Sequence, residues 1–219
     1  MKVWLVGARG MLGQAVSDAL DNSGIDHIDT DIEVNFTASD VVTSFAQQHR
    51  PDWIVNCAAY TAVDQAEDEE AQAHKLNSDG PANLSAAAAK SGASLIHIST
   101  DYVFSGELDR PYREDDTPNP ESAYGRTKLA GEDAVRERRN QHVIIRTAWL
   151  YGHGGKNFVE TMLRLMTERD ELTIVDDQIG SPTNATDLAN AITNVISHRE
   201  PTSGTFHYSG AGECSWYGF

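Results

Sequence analysis

The sequence predicts an α/β protein built on a doubly wound parallel sheet, with a small lobe at its carboxyl end. Short apolar runs alternate with helix-like stretches over residues 3–147, as strands and helices do in such a sheet. A glycine turn directly follows the first apolar run, and small or hydroxyl-bearing residues follow later ones. Ligands of open parallel sheets bind beyond the carboxyl ends of the strands, so these residues predict where the site lies.

Composition narrows the class of protein. The chain has 219 residues and a formal net charge of −16, which argues against nucleic-acid binding as a global property. Apolar runs are too short to cross a bilayer, and Met1 and Lys2 lead directly into a strand-like segment instead of a signal peptide. Cys57 and Cys214 show neither metal-ligand nor disulfide spacing. We therefore expect a soluble cytoplasmic protein that uses no membrane, no nucleic acid and no metal centre.

A glycine turn between a strand and a helix predicts a nucleotide-binding site. Residues 3–6 are apolar, Gly7, Gly10 and Gly13 follow with the spacing G-x-x-G-x-x-G, and residues 14–20 have helical spacing of apolar side chains. The spacing differs from G-x-G-x-x-G, but the physical reason is the same. Glycines let the backbone approach a pyrophosphate, which lies on the helix N-terminus of a Rossmann-type fold.

The second strand predicts how an adenosine is held. Residues 27–29 end this strand, and an acidic residue about 20 positions after the glycine turn usually binds a ribose hydroxyl. Asp29 fits that distance best, while Asp31 and Glu33 are close enough to compete. Arg9, inside the glycine turn, is suited to a 2′-phosphate instead. The carboxylate and the arginine point to different cofactors, so we expect use of both NADH and NADPH.

The third and fourth strands end in residues that leave room for a ligand or can act on one. Residues 52–59 run from an apolar segment into small side chains, among them Ala58 and Ala59. Residues 94–99 form the next strand, which leads into Thr100 and Asp101. Hydroxyl groups at this edge are where such a sheet places its chemistry. His97 lies within the strand and is predicted to be a packing residue.

Tyr124 and Lys128 form a Tyr-x-x-x-Lys pattern that predicts a proton donor or acceptor. On a helix the two side chains share one face about 6 Å apart. A lysine ammonium at that distance favours the phenolate form of the tyrosine, which brings its proton into use near neutral pH. The pattern is common on surface helices, so it predicts an active site here only together with the glycine turn and Thr100.

The remaining third of the chain predicts shorter elements. Residues 142–147 and 205–209 have strand character, as do residues 172–175, and residues 158–169 and 186–197 have helical spacing. Residues 215–219 look like the start of a helix, so we expect the sequence to stop inside an unfinished element.

The constellation resembles the extended short-chain dehydrogenases/reductases and, more closely, their dTDP-4-dehydrorhamnose reductase family. The resemblance covers essentially the whole chain. It implies an NAD(P)-binding Rossmann domain at residues 1–148 and an incomplete substrate lobe at 149–219, with segments that return to the sheet. It also implies NAD(P)H-dependent reduction of the C4 ketone of dTDP-4-dehydro-L-rhamnose in dTDP-rhamnose synthesis. The motifs that carry the resemblance are the glycine turn and residues 56–59 (Asn-Cys-Ala-Ala), 99–104 (Ser-Thr-Asp-Tyr-Val-Phe), 124–128 (Tyr-Gly-Arg-Thr-Lys) and 177–183 (Asp-Gln-Ile-Gly-Ser-Pro-Thr).

The resemblance also implies a role for individual residues. Tyr124 would protonate the C4 oxygen, Lys128 would hold the nicotinamide ribose and stabilise the phenolate, and Thr100 would polarise the carbonyl. The residues implied to contact the cofactor are Gly7, Gly10, Met11, Leu12, Gly13, Asp29, Asn35, Phe36, Ala58, Ala59, Tyr60, Thr61, Tyr124 and Lys128. The residues implied to contact the dTDP-sugar are Thr100, Asp101, Tyr102, Trp149 and Asn157.

Departures and rival functions stay open at this point. Some members of the family bridge a homodimer through a metal held by glutamates, one of them on the first helix. Ala15 stands at the matching position, so the resemblance decides neither a homodimer nor a bound Mg²⁺. A catalytically idle relative that serves as a regulatory subunit is one alternative to the reductase. Another nucleotide-sugar epimerase, dehydratase or reductase is the second, although a dehydratase needs an acid/base pair and Asp101 supplies half of it.

Overall fold

A six-stranded parallel sheet is the centre of the fold, which confirms the predicted fold class. The computed structural model describes residues 1–138, 141–198 and 203–219. The strands are arranged in the order β2-β1-β3-β4-β5-β9, so the chain winds outward from β1 in both directions. These six strands are β1 (Lys2–Val6), β2 (Asp26–Thr30), β3 (Trp53–Asn56), β4 (Ser94–Thr100), β5 (His142–Thr147) and β9 (Gly204–His207).

Helices connect the strands and cover both faces of the sheet. A π-helical turn, Lys75–Asp79, leads directly into α4, and short 3-10 turns occupy Gln65–Glu67 and Asp101–Val103. The α-helices are α1 (Met11–Asn22), α2 (Ser39–His49), α3 (Glu70–His74), α4 (Gly80–Ser91), α5 (Ala123–Glu137), α6 (Phe158–Glu168) and α7 (Ala185–Ser197).

Two apolar layers hold the helices on the sheet. The first lies between the sheet and helices α1 and α7, and its fully buried members include Val16, Leu188 and Ile192. The second lies under α2, α4 and α5 and includes Trp4 and Leu84. Apolar side chains on both faces of the inner strands explain why those strands read as continuous apolar runs in the sequence.

Helix α5 lies unusually close to its neighbours because two of its residues are glycines. A Cβ atom at Gly125 would lie 2.2 Å from the carbonyl oxygen of Tyr102, and one at Gly131 would lie 2.0 Å from that of Asn77. The helix begins after Ser122, whose hydroxyl accepts a hydrogen bond from the amide of Gly125 at 3.1 Å. The close approach brings the side chains of α5 to the carboxyl ends of β3 and β4.

The part of the chain after residue 148 does not form a separate layer. Strand β9 pairs with β5 in the main sheet, and α7 packs against α1. Four short strands complete the described part of this region, in the pairs β6 (Leu150–Tyr151) with β8 (Thr183–Asn184) and β7 (Ile179–Gly180) with β10 (Cys214–Ser215). The division of the chain at residues 148 and 149 stays a prediction.

Two predicted elements of this region differ in the structure. Residues 172–175 are not a strand, because no strand of the described residues pairs with this half-buried run. The Val175 carbonyl accepts a backbone bond from the Tyr217 amide at 2.9 Å. The predicted helix start at residues 215–219 is a single turn. The amide of Phe219 donates to the carbonyl of Ser215 at 2.9 Å, directly after the short strand β10.

We predict that Gly131→Ala lowers the free energy of unfolding by about 1–3 kcal/mol, as overpacking of a closed interface does. Alanine normally favours a helix over glycine, so a loss here measures the clash with the Asn77 carbonyl alone. Urea unfolding followed by circular dichroism measures the change. Glu137→Ala, at an exposed position of the same helix, is the control and should shift stability by less than about 0.5 kcal/mol. Equal stability of Gly131→Ala and wild type would contradict the close packing.

Candidate active site

An open cleft of about 1080 Å³ runs along the carboxyl ends of β1, β3, β4 and β5. Its size is at the upper end of the range for ligand pockets. The cleft brings together most of the residues that the sequence singled out. Those on its wall are Gly7, Gly10, Met11, Leu12, Asn35, Phe36, Ala58, Ala59, Thr61, Thr100, Asp101, Tyr102, Tyr124, Lys128 and Trp149. Gly13, Asp29, Tyr60 and Asn157 are not part of the wall.

The glycine turn closes tightly because its glycines touch other backbone atoms. Gly7 has φ +81°, and a Cβ atom there would lie 2.6 Å from the Ala58 amide nitrogen. A Cβ atom at Gly13 would lie 2.1 Å from the Gly7 carbonyl oxygen. Gly13 therefore packs helix α1 against the turn and does not line the cleft. Met11 and Leu12 begin the helix at the cleft, where first-turn amides have no acceptor within the helix.

Near the glycine turn, the acidic residue on the wall of the cleft is not the one that the sequence predicts best. Asp29 turns toward helix α1, where it accepts a hydrogen bond from Ser17 at 2.6 Å. Asp31 takes the place on the wall instead, and it accepts from the Arg9 amide at 2.9 Å. Arg9 lies beside it, with its guanidinium 3.0 Å from Glu33 and two-thirds exposed. The strand ends one residue later than predicted, and Asp31, not Asp29, lies on the wall of the cleft.

Two buried asparagines shape the loop after β3. The Asn56 side chain accepts a hydrogen bond from the Ala58 amide at 3.1 Å and bonds the ring of His97. Asn77, in the π-helical turn, binds both the amide and the carbonyl of Tyr60, at 2.8 and 3.1 Å. These bonds hold the backbone of Tyr60, whose hydroxyl donates to Glu69 Oε2 at 2.8 Å. π-helical turns of this kind frequently occur at functional sites.

Thr100, Asp101 and Tyr124 meet at the end of β4. The Thr100 hydroxyl donates to Asp101 Oδ1 at 3.1 Å and accepts from the Tyr102 amide at 3.2 Å. Burial raises the pKa of Asp101 from 3.8 to about 6, despite opposing hydrogen bonds from Thr100 and the backbone. Burial also raises the pKa of Tyr124, which the hydrogen bond with Thr100 partly offsets. Tyr124 is therefore a neutral phenol at neutral pH, ready to donate a proton.

Lys128 is buried and its ammonium lies against the sheet. Its Nζ donates to the carbonyl oxygen of Ile98 at 2.6 Å. Burial lowers the pKa of Lys128 to about 8, while Glu132 and Cys57 act in the opposite direction. The expectation that Lys128 makes Tyr124 a phenolate does not describe this state, because burial dominates the pKa of the phenol. A lysine that titrates near neutral pH in a cleft is typical of a functional site.

The far wall of the cleft consists of aromatic residues that the sequence indicated only in part. Trp149 has φ +46°, an uncommon conformation for a bulky residue. Its indole stacks on Trp216 with ring centroids 3.5 Å apart, and a Cβ atom at Gly180 would lie 2.5 Å from the ring. Trp216 and Phe158 also line the cleft, and no pattern in the sequence pointed to them. Asn157 caps helix α6 and supports this wall from behind.

Metal-binding and membrane-spanning features are absent from the described ranges. Within residues 1–138, 141–198 and 203–219, no group of three or more His, Cys, Asp and Glu side chains is arranged to hold a metal ion. None of the helices within these ranges is both long enough and apolar enough to span a bilayer. Ala15 packs at the edge of the core between the sheet and α7.

Comparison with known proteins gives one consistent family. The model of the family described as "RmlD substrate binding domain" matches residues 1–219. A dTDP-4-dehydrorhamnose reductase of Streptomyces griseus is 43% identical over 97% of this chain and 72% of its own. A dTDP-4-keto-6-deoxy-D-glucose reductase of Streptomyces niveus is 42% identical over 98% of this chain and 75% of its own.

One similar protein of known structure was solved with a bound cofactor. The dTDP-4-dehydrorhamnose reductase of Bacillus anthracis, in complex with NADP, is 43% identical with a TM-score of 0.95. The alignment covers 99% of this chain and 77% of that protein. The chain thus spans about three-quarters of the length of these similar proteins.

We predict that Asp101→Asn raises the free energy of unfolding at pH 7.5 by on the order of 1–3 kcal/mol. The pKa of Asp101 is higher in the folded than in the unfolded state, so the carboxyl favours the fold below about pH 4. That contribution is lost as the pH rises through about 6, and the amide avoids the loss. Urea unfolding at pH 4 and pH 7.5 measures this, with Asp109→Asn in the exposed loop as control. A gain of the same size at both pH values would contradict the raised pKa.

Proposed function

Because this chain belongs to the RmlD substrate binding domain family, we propose that it reduces the C4 ketone of dTDP-4-dehydro-L-rhamnose to dTDP-L-rhamnose. The observation that carries the proposal is the meeting of three groups at one edge of the sheet. Thr100 ends β4, while Tyr124 and Lys128 lie one helical turn apart on α5, and all three line the cleft that begins at the glycine turn. A regulatory relative has no need of this arrangement.

The residues of the cleft fit a dinucleotide cofactor, NADPH or NADH. The glycine turn brings the first-turn amides of α1 to the cleft, which suits a pyrophosphate. Asp31 suits the adenosine ribose and Arg9 a 2′-phosphate. Phe36, buried at the same end, offers an apolar wall for the adenine. When bound, a reduced nicotinamide supplies the hydride for the ketone carbon.

The chain's own residues supply the proton and the stabilisation of charge. Tyr124, a neutral phenol, donates its proton to the C4 oxygen as negative charge develops there. The Thr100 hydroxyl turns its proton from Asp101 to the same oxygen, while its own oxygen continues to accept from the Tyr102 amide. Lys128, fixed on the Ile98 carbonyl, places a positive charge near the phenol and the ribose site. Reduction of a ketone to an alcohol needs one hydride and one proton. The reduced nicotinamide would supply the hydride, and Tyr124 supplies the proton.

Residues 149–219 would supply the substrate side, as part of a lobe. Trp149 and Trp216 form a flat apolar wall suited to the sugar or the thymine. The diphosphate of the substrate needs positive charge in a strongly acidic chain. Lys156, on the wall of the cleft, meets that need, and Arg164 lies with it on a smaller depression at the start of α6.

We predict that Tyr124→Phe lowers kcat by about 10²–10⁴-fold, because it removes the proton that general acid catalysis transfers. Binding of NADPH, followed by quenching of tryptophan fluorescence, should stay nearly unchanged. Turnover is measured with the intact protein as oxidation of NADPH in the presence of the dTDP-4-dehydro sugar.

The control for Tyr124→Phe removes a hydroxyl outside the cleft. Tyr112 stacks on Phe104 with ring centroids 4.2 Å apart and does not line the cleft. Tyr112→Phe should keep the wild-type rate. A near-normal rate in Tyr124→Phe would refute the proposed acid, and a wild-type protein that binds NADPH without turning over the sugar would refute the reductase.

We predict that Arg9→Ala weakens NADPH binding by about 10–100-fold, the equivalent of one charge-assisted hydrogen bond. NADH, which has no 2′-phosphate, should bind almost as well as it does to wild type. Calorimetric titration of both cofactors measures the difference. Arg110→Ala is the control, because Arg110 is an exposed arginine that pairs with Asp116 away from the cleft. Equal losses for both cofactors would contradict a phosphate contact at Arg9.

A further inference from the structure

Glu132 is a buried carboxylate whose two oxygens are both saturated. Its side chain is fully buried on helix α5. Oε1 accepts from the Ser99 hydroxyl at 2.6 Å and from Arg146 Nε at 2.9 Å. Oε2 accepts from Arg146 Nη2 at 2.7 Å and from Arg136 Nη2 at 2.6 Å. Four hydrogen bonds to one buried group are more than an ordinary ion pair provides.

These contacts join β4 and α5, which carry Thr100, Tyr124 and Lys128, to the neighbouring strand β5. Ser99 precedes Thr100 at the end of β4, and Arg146 precedes Thr147 at the end of β5. Glu132 itself follows Lys128 by four residues, so the two share one face of α5. A movement of any one element would break charge-assisted bonds that are expensive to lose in the interior.

Glu132 also stands out among the titratable groups around Lys128. Cys57 approaches from the end of β3, His97 from β4, and Tyr124 and Glu132 from α5. Burial raises the pKa of Cys57 to about 12, lowers that of His97 and raises that of Tyr124, so these three groups are neutral at pH 7. Burial also raises the pKa of Glu132, but the bonds from Arg146 and Ser99 outweigh it and hold the pKa below the ordinary value. Glu132 is therefore the charged member of this set.

We propose that Glu132 is a positioning residue for helix α5: it fixes the Ser99–Thr100 end of β4, and its negative charge, on the same face of the helix as Lys128, favours the protonated form of that lysine. The inference rests on the proposed function for the role of Lys128, but the charge coupling itself is independent of turnover. Arg146 donates to both oxygens of Glu132 and keeps the carboxylate ionised. A buried ion pair that served only stability would have no need to control the charge of Lys128.

Removing Glu132 and removing Arg146 should have different effects on the pKa of Lys128, and this difference distinguishes a positioning role of Glu132 from a purely structural one. Glu132→Gln removes a negative charge near Lys128, so the pKa of the lysine should fall on the order of one unit. Arg146→Met removes a positive charge while Arg136 still holds Glu132 ionised, so the pKa of Lys128 should stay or rise. Both variants break the same salt bridge, and a general loosening of the structure would move the lysine in the same direction in both.

The experiment titrates Lys128 directly. Protein with ¹³C-labelled lysine side chains is followed by NMR as the pH is raised, and the Lys128 signal is identified by its absence from Lys128→Met. Asp133→Asn, which removes the neighbouring exposed carboxylate on the same helix, is the control and should leave the titration unchanged. Because an uncompensated buried charge can unfold a protein, the double variant Glu132→Gln/Arg146→Met is measured as well. It too should show a fall, since Glu132 acts on Lys128 while Arg146 acts on Glu132.

We expect a lower pKa of Lys128 in Glu132→Gln. If that variant does not fold, the double variant should show the same fall. The pKa of Lys128 should not fall in Arg146→Met. In the active enzyme, the alkaline limb of kcat should move to lower pH in the same variants. An unchanged titration after loss of Glu132, or a fall in both single variants, would overturn the proposal. Failure of the proposed reductase would instead leave the NMR shifts intact and abolish turnover in the wild type.

Discussion

The close approach of helix α5 to the carboxyl edge of the sheet is the constraint on which the site depends. The helix reaches this position because Gly125 and Gly131 meet backbone carbonyls at distances that no side chain permits. From there Lys128 reaches the Ile98 carbonyl. Tyr124 comes beside Thr100 for the same reason. The geometry of the site is therefore set by the packing of α5 against the turns that contain Tyr102 and Asn77.

Burial and ion pairing limit the negative charge inside the cleft of this strongly acidic protein. A net charge of −16 would repel a diphosphate or a dinucleotide if it were spread evenly through the cleft. The buried groups near the reacting atoms are instead neutral or balanced. Burial keeps Tyr124 protonated, and Glu132 is matched by two arginines. Asp101 is the exception, because burial raises its pKa only to about 6 and it is ionised at neutral pH. Backbone amides at α1 and the cations Arg9 and Lys156 supply the positive potential locally.

Local strain marks the opposite wall of the cleft. Trp149 adopts a left-handed backbone conformation, which costs on the order of 1–3 kcal/mol and persists only where the surroundings fix it. Gly180 leaves space for its indole, and Trp216 stacks on it. The run Asp-Gln-Ile-Gly-Ser-Pro-Thr therefore has a physical role, because its glycine makes room for the tryptophan. Residues of this wall and of helix α5 line the same cleft.

The sequence by itself determined the parallel sheet, the glycine turn and the Tyr124, Lys128 and Thr100 set, because each depends on local pattern. Apolar runs, glycine spacing and the i, i+4 relation are all properties of neighbouring residues. Tertiary structure decided the rest. Asp31 replaced Asp29 because the strand end sets which carboxylate faces the cleft. The run at residues 172–175 found no strand partner. Trp216 reached Trp149 from 67 positions along the chain, and the Glu132 network joined three elements. Contacts between distant segments, and the burial that shifts pKa values, have no signature in a local pattern.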